Sequence, residues 1–323
     1  MRIVIVKILF PSKSVFITLS HQHNQKIISK MIKICMALIL IILINFSLQN
    51  ESKVDWKTLI IEETIFLNSF YKVKNLNGLE KYPYLTAILV IQNRLIQINS
   101  IKYLVNLTKL DFKNNFISDL TPLSKLTKLK EIYLSENKIE SINPLYLLVN
   151  LEILKLDDNL IEDISALSNL KNLKYLGLKK NLIKNIKPLL YLSNINSLDL
   201  SGNRMITEID SLRNMLNVNQ LFISNNRIAK IEIIENFTQL ERIIANGNMI
   251  EKIESLCFMK KFLRELMVSN NRIRNINCLT YLSDSLDDLR LGYNDIENID
   301  SLKYINKICF VLGRCLIDAL ILK

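Results

Sequence analysis

From residue 79 to residue 302, leucine and isoleucine recur among polar residues in a single repeated pattern, LxxLxLxxNxIxxIxxL. Segment 107–123, LTKLDFKNNFISDLTPL, carries it in full. The fixed asparagine falls at Asn93, Asn115, Asn137, Asn159, Asn181, Asn203, Asn226, Asn248, Asn271 and Asn294. The first five steps are 22 residues each, and the remaining four are 23, 22, 23 and 23. Leu107, Leu110 and Phe112 occupy positions 1, 4 and 6 of one unit, and Leu129, Ile132 and Leu134 repeat them one unit on. Alternation at positions 4 and 6 predicts a short strand, with the residue between them facing outward. One such turn cannot cover its own apolar face. Stacked turns can, so the pattern predicts a solenoid with a long parallel sheet and an aliphatic interior.

The asparagine stands where the chain must leave the strand and bend. Its amide both donates and accepts, so pointed inward it can satisfy backbone groups that the bend removes from the sheet. Pro122, Pro144 and Pro188 each lie seven residues after one of these asparagines. Proline has no N–H for a sheet, so this position belongs on the convex back. A unit of 22 residues leaves no room for a long back helix. Short 3₁₀ turns or extended segments are expected there instead. Residues 51–78 are expected to form an N-terminal cap and half repeat, with a capping helix over 55–70 and Val73, Leu76 and Leu79 leading into the repeats. Ile305, Ile308, Cys309, Leu312, Leu316 and Leu320 have helical spacing, which predicts a cap helix over 303–323.

The formal net charge is +11. Residues 1–57 hold +6 of it and residues 303–323 hold +3, which leaves +2 for the repeats. The basic excess therefore says little about a nucleic-acid partner for the scaffold. The local run Lys171, Lys174, Lys179, Lys180, Lys184 and Lys187 reads as a solvated face. Cys35, Cys257, Cys278, Cys309 and Cys315 form no CxxC pair, and scattered reduced thiols are the expectation. A disulfide between Cys257 and Cys278 is conceivable, because they flank corresponding loops of neighbouring turns. Both histidines, His21 and His23, precede the repeats. That removes a Ser/His/Asp or Cys/His nucleophilic set and a histidine metal site from the repeat region. Asp157–Asp158 and Asp287–Asp288 read as exposed turn carboxylates. Neither an enzyme, a cofactor nor a metal is expected.

Residues 1–50 form a basic and apolar extension. Within it, ICMALILIILI at 34–44 follows Lys26, Lys30 and Lys33. Its length suits a signal-peptide core and is short for a membrane span. Two readings stay open. One is a true signal or anchor, which would place the protein in the secretory pathway or outside the cell. The other is a non-targeting extension, or misread A/T-rich DNA, which would leave it cytoplasmic or nuclear.

The outward residues have no core role and are free to bind. The central row of the concave sheet should read Leu89, Asp111, Tyr133, Lys155, Gly177, Asp199, Phe222, Ile244, Met267 and Arg290. One flanking row carries Tyr175, Arg242 and Glu265, and the other carries Lys113, Asp157 and Lys179. Phe222, Ile244 and Met267 should form an exposed apolar strip of the kind that marks a partner site. Tyr133 and Tyr175 add aromatic anchors, and Arg242 and Arg290 add bidentate donors. Asp111, Asp157, Asp199 and Glu265 on the same face argue against nucleic acid. A monomer with one protein partner is expected.

The period and the NxIxxIxxL form resemble leucine-rich repeats of the 22-residue class. That resemblance implies a right-handed, curved solenoid of about ten repeats between short helical caps. Over 79–302 the chain resembles the leucine-rich repeat regulatory subunit of type-1 protein phosphatase, and SLDDLRLGYNDIENID is similar to the last repeats of that group. The resemblance implies a phosphatase catalytic subunit as partner, met by acidic and aromatic residues of the central row. Asp111, Tyr133, Asp199 and Phe222 match that chemistry. The segment 71–104, with GLEKYPYL, is similar to ciliary and axonemal assembly factors, and ISDLTPLSKL is similar to bacterial internalin-type surface proteins.

Overall fold

The computed structural model describes residues 4–9, 14–19, 56–68, 72–259, 261–305 and 309–310. The chain divides into two compact units, Met1–Ile61 and Glu62–Lys323. In the first, β1 (Val4–Leu9) pairs antiparallel with β2 (Ser14–Leu19), Val4 opposite Leu19. This unit also holds α1 (Trp56–Leu59) and β3 (Ile60–Ile61). The apolar run at 34–44 lies outside the described residues. Among the described residues no helix is long and apolar enough to cross a membrane.

The second unit is a curved, unclosed solenoid built on a twelve-stranded parallel sheet, with strands side by side in chain order. The strands are β4 (Thr64–Leu67), β5 (Ala87–Val90), β6 (Lys109–Asp111), β7 (Glu131–Tyr133), β8 (Ile153–Lys155) and β9 (Tyr175–Gly177). They continue as β10 (Ser197–Asp199), β11 (Gln220–Phe222), β12 (Arg242–Ile244), β13 (Glu265–Met267), β14 (Asp288–Arg290) and β15 (Cys309–Phe310). From β6 to β14 the middle residue of each strand points inward. Leu110, Ile132, Leu154, Leu176, Leu198, Leu221, Ile243, Leu266 and Leu289 are all fully buried. This is the period-2 alternation expected of the template.

Beyond the asparagine the apolar period changes to three. Ile117, Leu120, Leu123, Leu126 and Leu129 are each buried, at intervals of three residues. A 3₁₀ helix has three residues per turn, so this spacing keeps one edge inward where an α-helix would rotate it away. The backbone agrees: the N–H groups of Leu123, Leu126 and Leu129 each donate to the carbonyl three residues earlier, at 2.9, 2.9 and 3.0 Å. Pro122, Pro144 and Pro188 sit at the starts of such turns, where no N–H is required.

Asn137 shows the form of a ladder rung. Asn137 is buried, and its Nδ2 donates to Phe112 O at 2.9 Å and to Leu134 O at 3.0 Å. Its Oδ1 accepts from Ile117 N–H at 3.0 Å, which ties the bend of the preceding turn. The sequence pattern did not show that the residue before every ladder asparagine is left-handed: Gln92, Asn114, Glu136, Asp158, Lys180, Gly202, Asn225, Gly247, Asn270 and Tyr293 all have positive φ. Five of those positions carry Gly or Asn, the residues that tolerate this region.

Two expectations for the caps meet a different structure. The helix expected over 55–70 lasts only for α1, and Thr64–Leu67 is a strand paired to β5. Ile65 and Leu67 are buried while Phe66 is exposed, which is strand alternation, so the helical spacing was coincidental. Toward the other end, Lys303 and Tyr304 finish a 3₁₀ turn, and Cys309–Phe310 pairs with β14. Residues 311–323 lie outside the described part of the chain.

Candidate functional site

Parallel pairing in exact register assembles the outward residues into columns. Leu89, Asp111, Tyr133, Lys155 and Gly177 stand directly opposite one another from β5 to β9. Asp199, Phe222, Ile244, Met267 and Arg290 continue the same column to β14. The neighbouring column holds Lys109, Glu131, Ile153, Tyr175, Ser197, Gln220, Arg242, Glu265 and Asp288. The strand register thus brings Asp111, Tyr133, Asp199, Phe222, Ile244, Met267 and Arg290 into one column and Tyr175 and Arg242 into the next.

Their exposure differs from the expectation in several places. Phe222, Ile244 and Met267 are contiguous but half-buried, because strands one residue apart in the column shield one another. They form a shallow apolar floor and not an exposed strip. Tyr175 is exposed at 44%, and Tyr133 is half-buried. The two arginines are engaged: Arg242 pairs with Glu265 on the next strand, and Arg290 Nη2 lies 3.2 Å from Asp288 Oδ2. A partner using either guanidinium must compete with a resident carboxylate.

At the other end of the column, Lys109 Nζ lies 2.7 Å from Glu131 Oε2 and 5.4 Å from the centre of the Tyr133 ring. Tyr133 Oη donates to Glu131 Oε2 at 3.2 Å. The hydrogen bond to Glu131 raises the Lys109 ammonium above its ordinary pKa, against some desolvation. Burial, followed by the charge of Glu131, raises the Tyr133 phenol. Asp111 and Asp199 are also raised, chiefly by burial. A backbone N–H opposes the rise in each case, from Lys113 at 3.1 Å and from Ser201 at 2.9 Å. Gly177 is the one position of the column without a side chain. A Cβ there would meet Asp157 Oδ1 at 2.6 Å and Lys155 Cδ at 2.8 Å. The space is already filled by its neighbours.

A second polar ladder runs along the far edge of the face, and sequence reasoning missed it. Asp157 accepts from Lys179 N–H at 3.0 Å and from Ser135 Oγ–H at 3.1 Å. Ser224 Oγ accepts from Asn246 N–H at 3.1 Å, and Asn246 Oδ1 accepts from Ser269 N–H at 2.8 Å. The signal was present two positions before the ladder asparagines, where Ser135, Asp157, Ser201, Ser224, Asn246 and Ser269 are short and polar. These side chains brace the sheet edge and are only partly free for a partner.

Three of the six lysines of the basic run pair across turns: Lys174 with Glu152 at 2.7 Å, Lys180 with Asp158 at 2.9 Å and Lys184 with Glu162 at 2.9 Å. Each partner lies one turn back, which is how a solvated convex or lateral face neutralises itself. Cys257 and Cys278 are free thiols, and the buried Cys278 donates to Ile253 O at 3.3 Å. Among the described residues no group of three or more His, Cys, Asp or Glu side chains is placed to hold a metal ion.

The family described as Leucine Rich repeats (2 copies) matches residues 105–147 and 127–169. No curated protein sequence matches the chain significantly. Among solved structures, an internalin from Listeria monocytogenes is 28% identical over 71% of this chain and 81% of its own, with a TM-score of 0.50. A leucine-rich repeat protein of Leptospira interrogans is 17% identical over 83% and 88%, with a TM-score of 0.52. A plant peptide-hormone receptor in complex with its peptide is 16% identical over 77% of this chain and 46% of its own, with a TM-score of 0.65. The last two likenesses show the fold alone. With its ten-rung asparagine ladder, parallel concave sheet and 3₁₀ back, the chain is a leucine-rich repeat protein.

Proposed function

We propose that this protein is a non-catalytic scaffold that docks one protein partner on its concave face. The observation that carries this reading is the unbroken column from Leu89 to Arg290, whose side chains are held in register and have no part in the core. Its two halves offer different chemistry. Asp111, Tyr133 and Asp199 present hydrogen-bonding and acidic groups, and Phe222, Ile244 and Met267 present apolar area. Mixed surfaces of this kind, with a desolvated centre and a polar rim, are what protein partners use.

For the partner, we propose the catalytic subunit of type-1 protein phosphatase, supported by the acidic and aromatic set Asp111, Tyr133, Asp199 and Phe222. The second reading is a secreted or surface recognition protein, favoured by the 28% identity to the Listeria internalin. Affinity purification of a C-terminally tagged protein from its own cells separates the two. Enrichment of the phosphatase catalytic subunit, lost in the Phe222→Glu/Met267→Glu variant, supports the first. A mature chain beginning near residue 50, with no phosphatase, supports the second. A folded double variant that keeps its partner refutes concave docking altogether.

A further inference from the structure

The asparagine ladder has one open rung. Nine of the ten ladder asparagines accept a backbone N–H through Oδ1. Asn226 does not, and its buried Oδ1 has no hydrogen-bond partner. The cause lies one turn back. The step from Asn203 to Asn226 is 23 residues, and the extra residue sits directly after Asn203, so that the next core isoleucine is Ile206. By register Ile206 should donate to Asn226, since its O accepts from Arg227 N–H at 2.9 Å as Ile117 O accepts from Lys138 N–H in an intact rung. The added residue before it, Met205, folds back, with its N–H donating to Asn203 O at 2.8 Å and its side chain 41% exposed. Arg204 joins Gly202 at positive φ, so two residues of this bend are left-handed where other turns have one.

Length alone does not open the rung. The two later turns of 23 residues keep their bonds, Ile250 N–H to Asn271 Oδ1 at 3.0 Å and Ile273 N–H to Asn294 Oδ1 at 3.1 Å. Their extra residues fall on the convex side, where Met259–Leu263 and Leu282–Leu286 step by four in place of three. In a solenoid each turn is stabilised only by its neighbours, so one weakened interface is enough to divide the array. The open rung also lies between Asp199 and Phe222, where the concave column changes from polar to apolar.

We infer that the solenoid is jointed at this rung. The turns up to Asn203 and the turns from Asn226 onward form two blocks that open separately, while β10 and β11 remain paired in the closed state. This inference does not depend on what the concave face binds. The two halves of that face can adjust to one another without loss of either core.

Hydrogen exchange of the full chain in rising, sub-denaturing urea tests it. The amides to follow are the ladder-bonded Ile117, Ile139 and Ile161 in the first block, and Ile228, Ile250 and Ile273 in the second. One set should lose protection at least tenfold while the other set is unchanged. Deleting Met205, which restores the 22-residue step, should bring the two sets onto one curve. Deleting Asp284, in a long turn whose rung is intact, should leave them apart. A single opening curve for all six amides in the unaltered protein overturns the joint, and this holds even where a deletion variant does not fold. Two sets that persist in a folded Met205 deletion overturn its assignment to the extra residue.

Discussion

Replacing Asn137 with alanine removes a rung from the middle of the ladder, and the geometry sets how much that costs. Four contacts disappear: Oδ1 to Ile117 N–H at 3.0 Å, and Nδ2 to the carbonyls of Phe112, Leu134 and Ser135 at 2.9, 3.0 and 3.3 Å. A sum over four bonds overstates the loss. Phe112 O keeps Asn115 Nδ2 at 3.0 Å, and Leu134 O keeps Asn159 Nδ2 at 3.0 Å. Only the Ile117 N–H is left buried without an acceptor, at roughly 1–3 kcal/mol. The expected destabilisation is therefore about 2 kcal/mol, read as a lowered urea midpoint by far-UV circular dichroism. Asn226→Ala is the internal comparison. Its Oδ1 accepts nothing, and the carbonyls of Leu200 and Ile223 keep Asn203 at 2.7 Å and Asn248 at 2.9 Å. It should cost under about 1 kcal/mol, because no buried group is newly orphaned. An Asn226→Ala variant as unstable as Asn137→Ala would refute the reasoning that the orphaned N–H, and not the count of bonds, sets the cost.

Other outcomes follow from the same geometry. Tyr293→Gly relieves a left-handed residue that carries a Cβ, and should raise the urea midpoint by the equivalent of about 1 kcal/mol; Gly202→Ala should lower it. Burial raises Asp199 in the folded state, so ionisation opposes folding above its folded pKa, and no penalty remains below its unfolded pKa. Asp199→Asn should accordingly stabilise the protein at neutral pH, with the gain fading as titration falls through the ordinary aspartate range. Ile132→Ala, fully buried on β7, should cost about 2–5 kcal/mol in the same denaturation assay. Gly177→Val should displace Asp157 and Lys155 and weaken partner capture more than it changes stability, measured by pull-down beside the urea midpoint.

Most of the fold is written in the repeat period. Leu107, Leu110 and Phe112 give the strand, the interval of three from Ile117 to Leu129 gives the 3₁₀ back, and Asn115 gives the bend. The left-handed residues were not legible, because Glu136, Lys180 and Tyr293 are ordinary surface residues that the stacked bonds hold in that region. The cap over 55–70 misled because Leu59, Ile60, Ile65 and Phe66 have helical spacing, whereas the strand is set by the two-residue interval of Ile65 and Leu67. On the concave face the columns could be read directly from the period, but not the pairing within them. That Arg242 is held by Glu265, and that Phe222 is half-covered, depends on which side chains the curvature of the sheet brings close.

The central claim is that the concave column is where a partner binds. Hydrogen–deuterium exchange of the protein alone and with its purified partner tests it most directly. The account predicts protection concentrated on 220–222, 242–244 and 265–267 and extending toward 109–111 and 131–133. Protection confined to convex segments such as 254–259 and 277–282, with the concave strands unchanged, would contradict it.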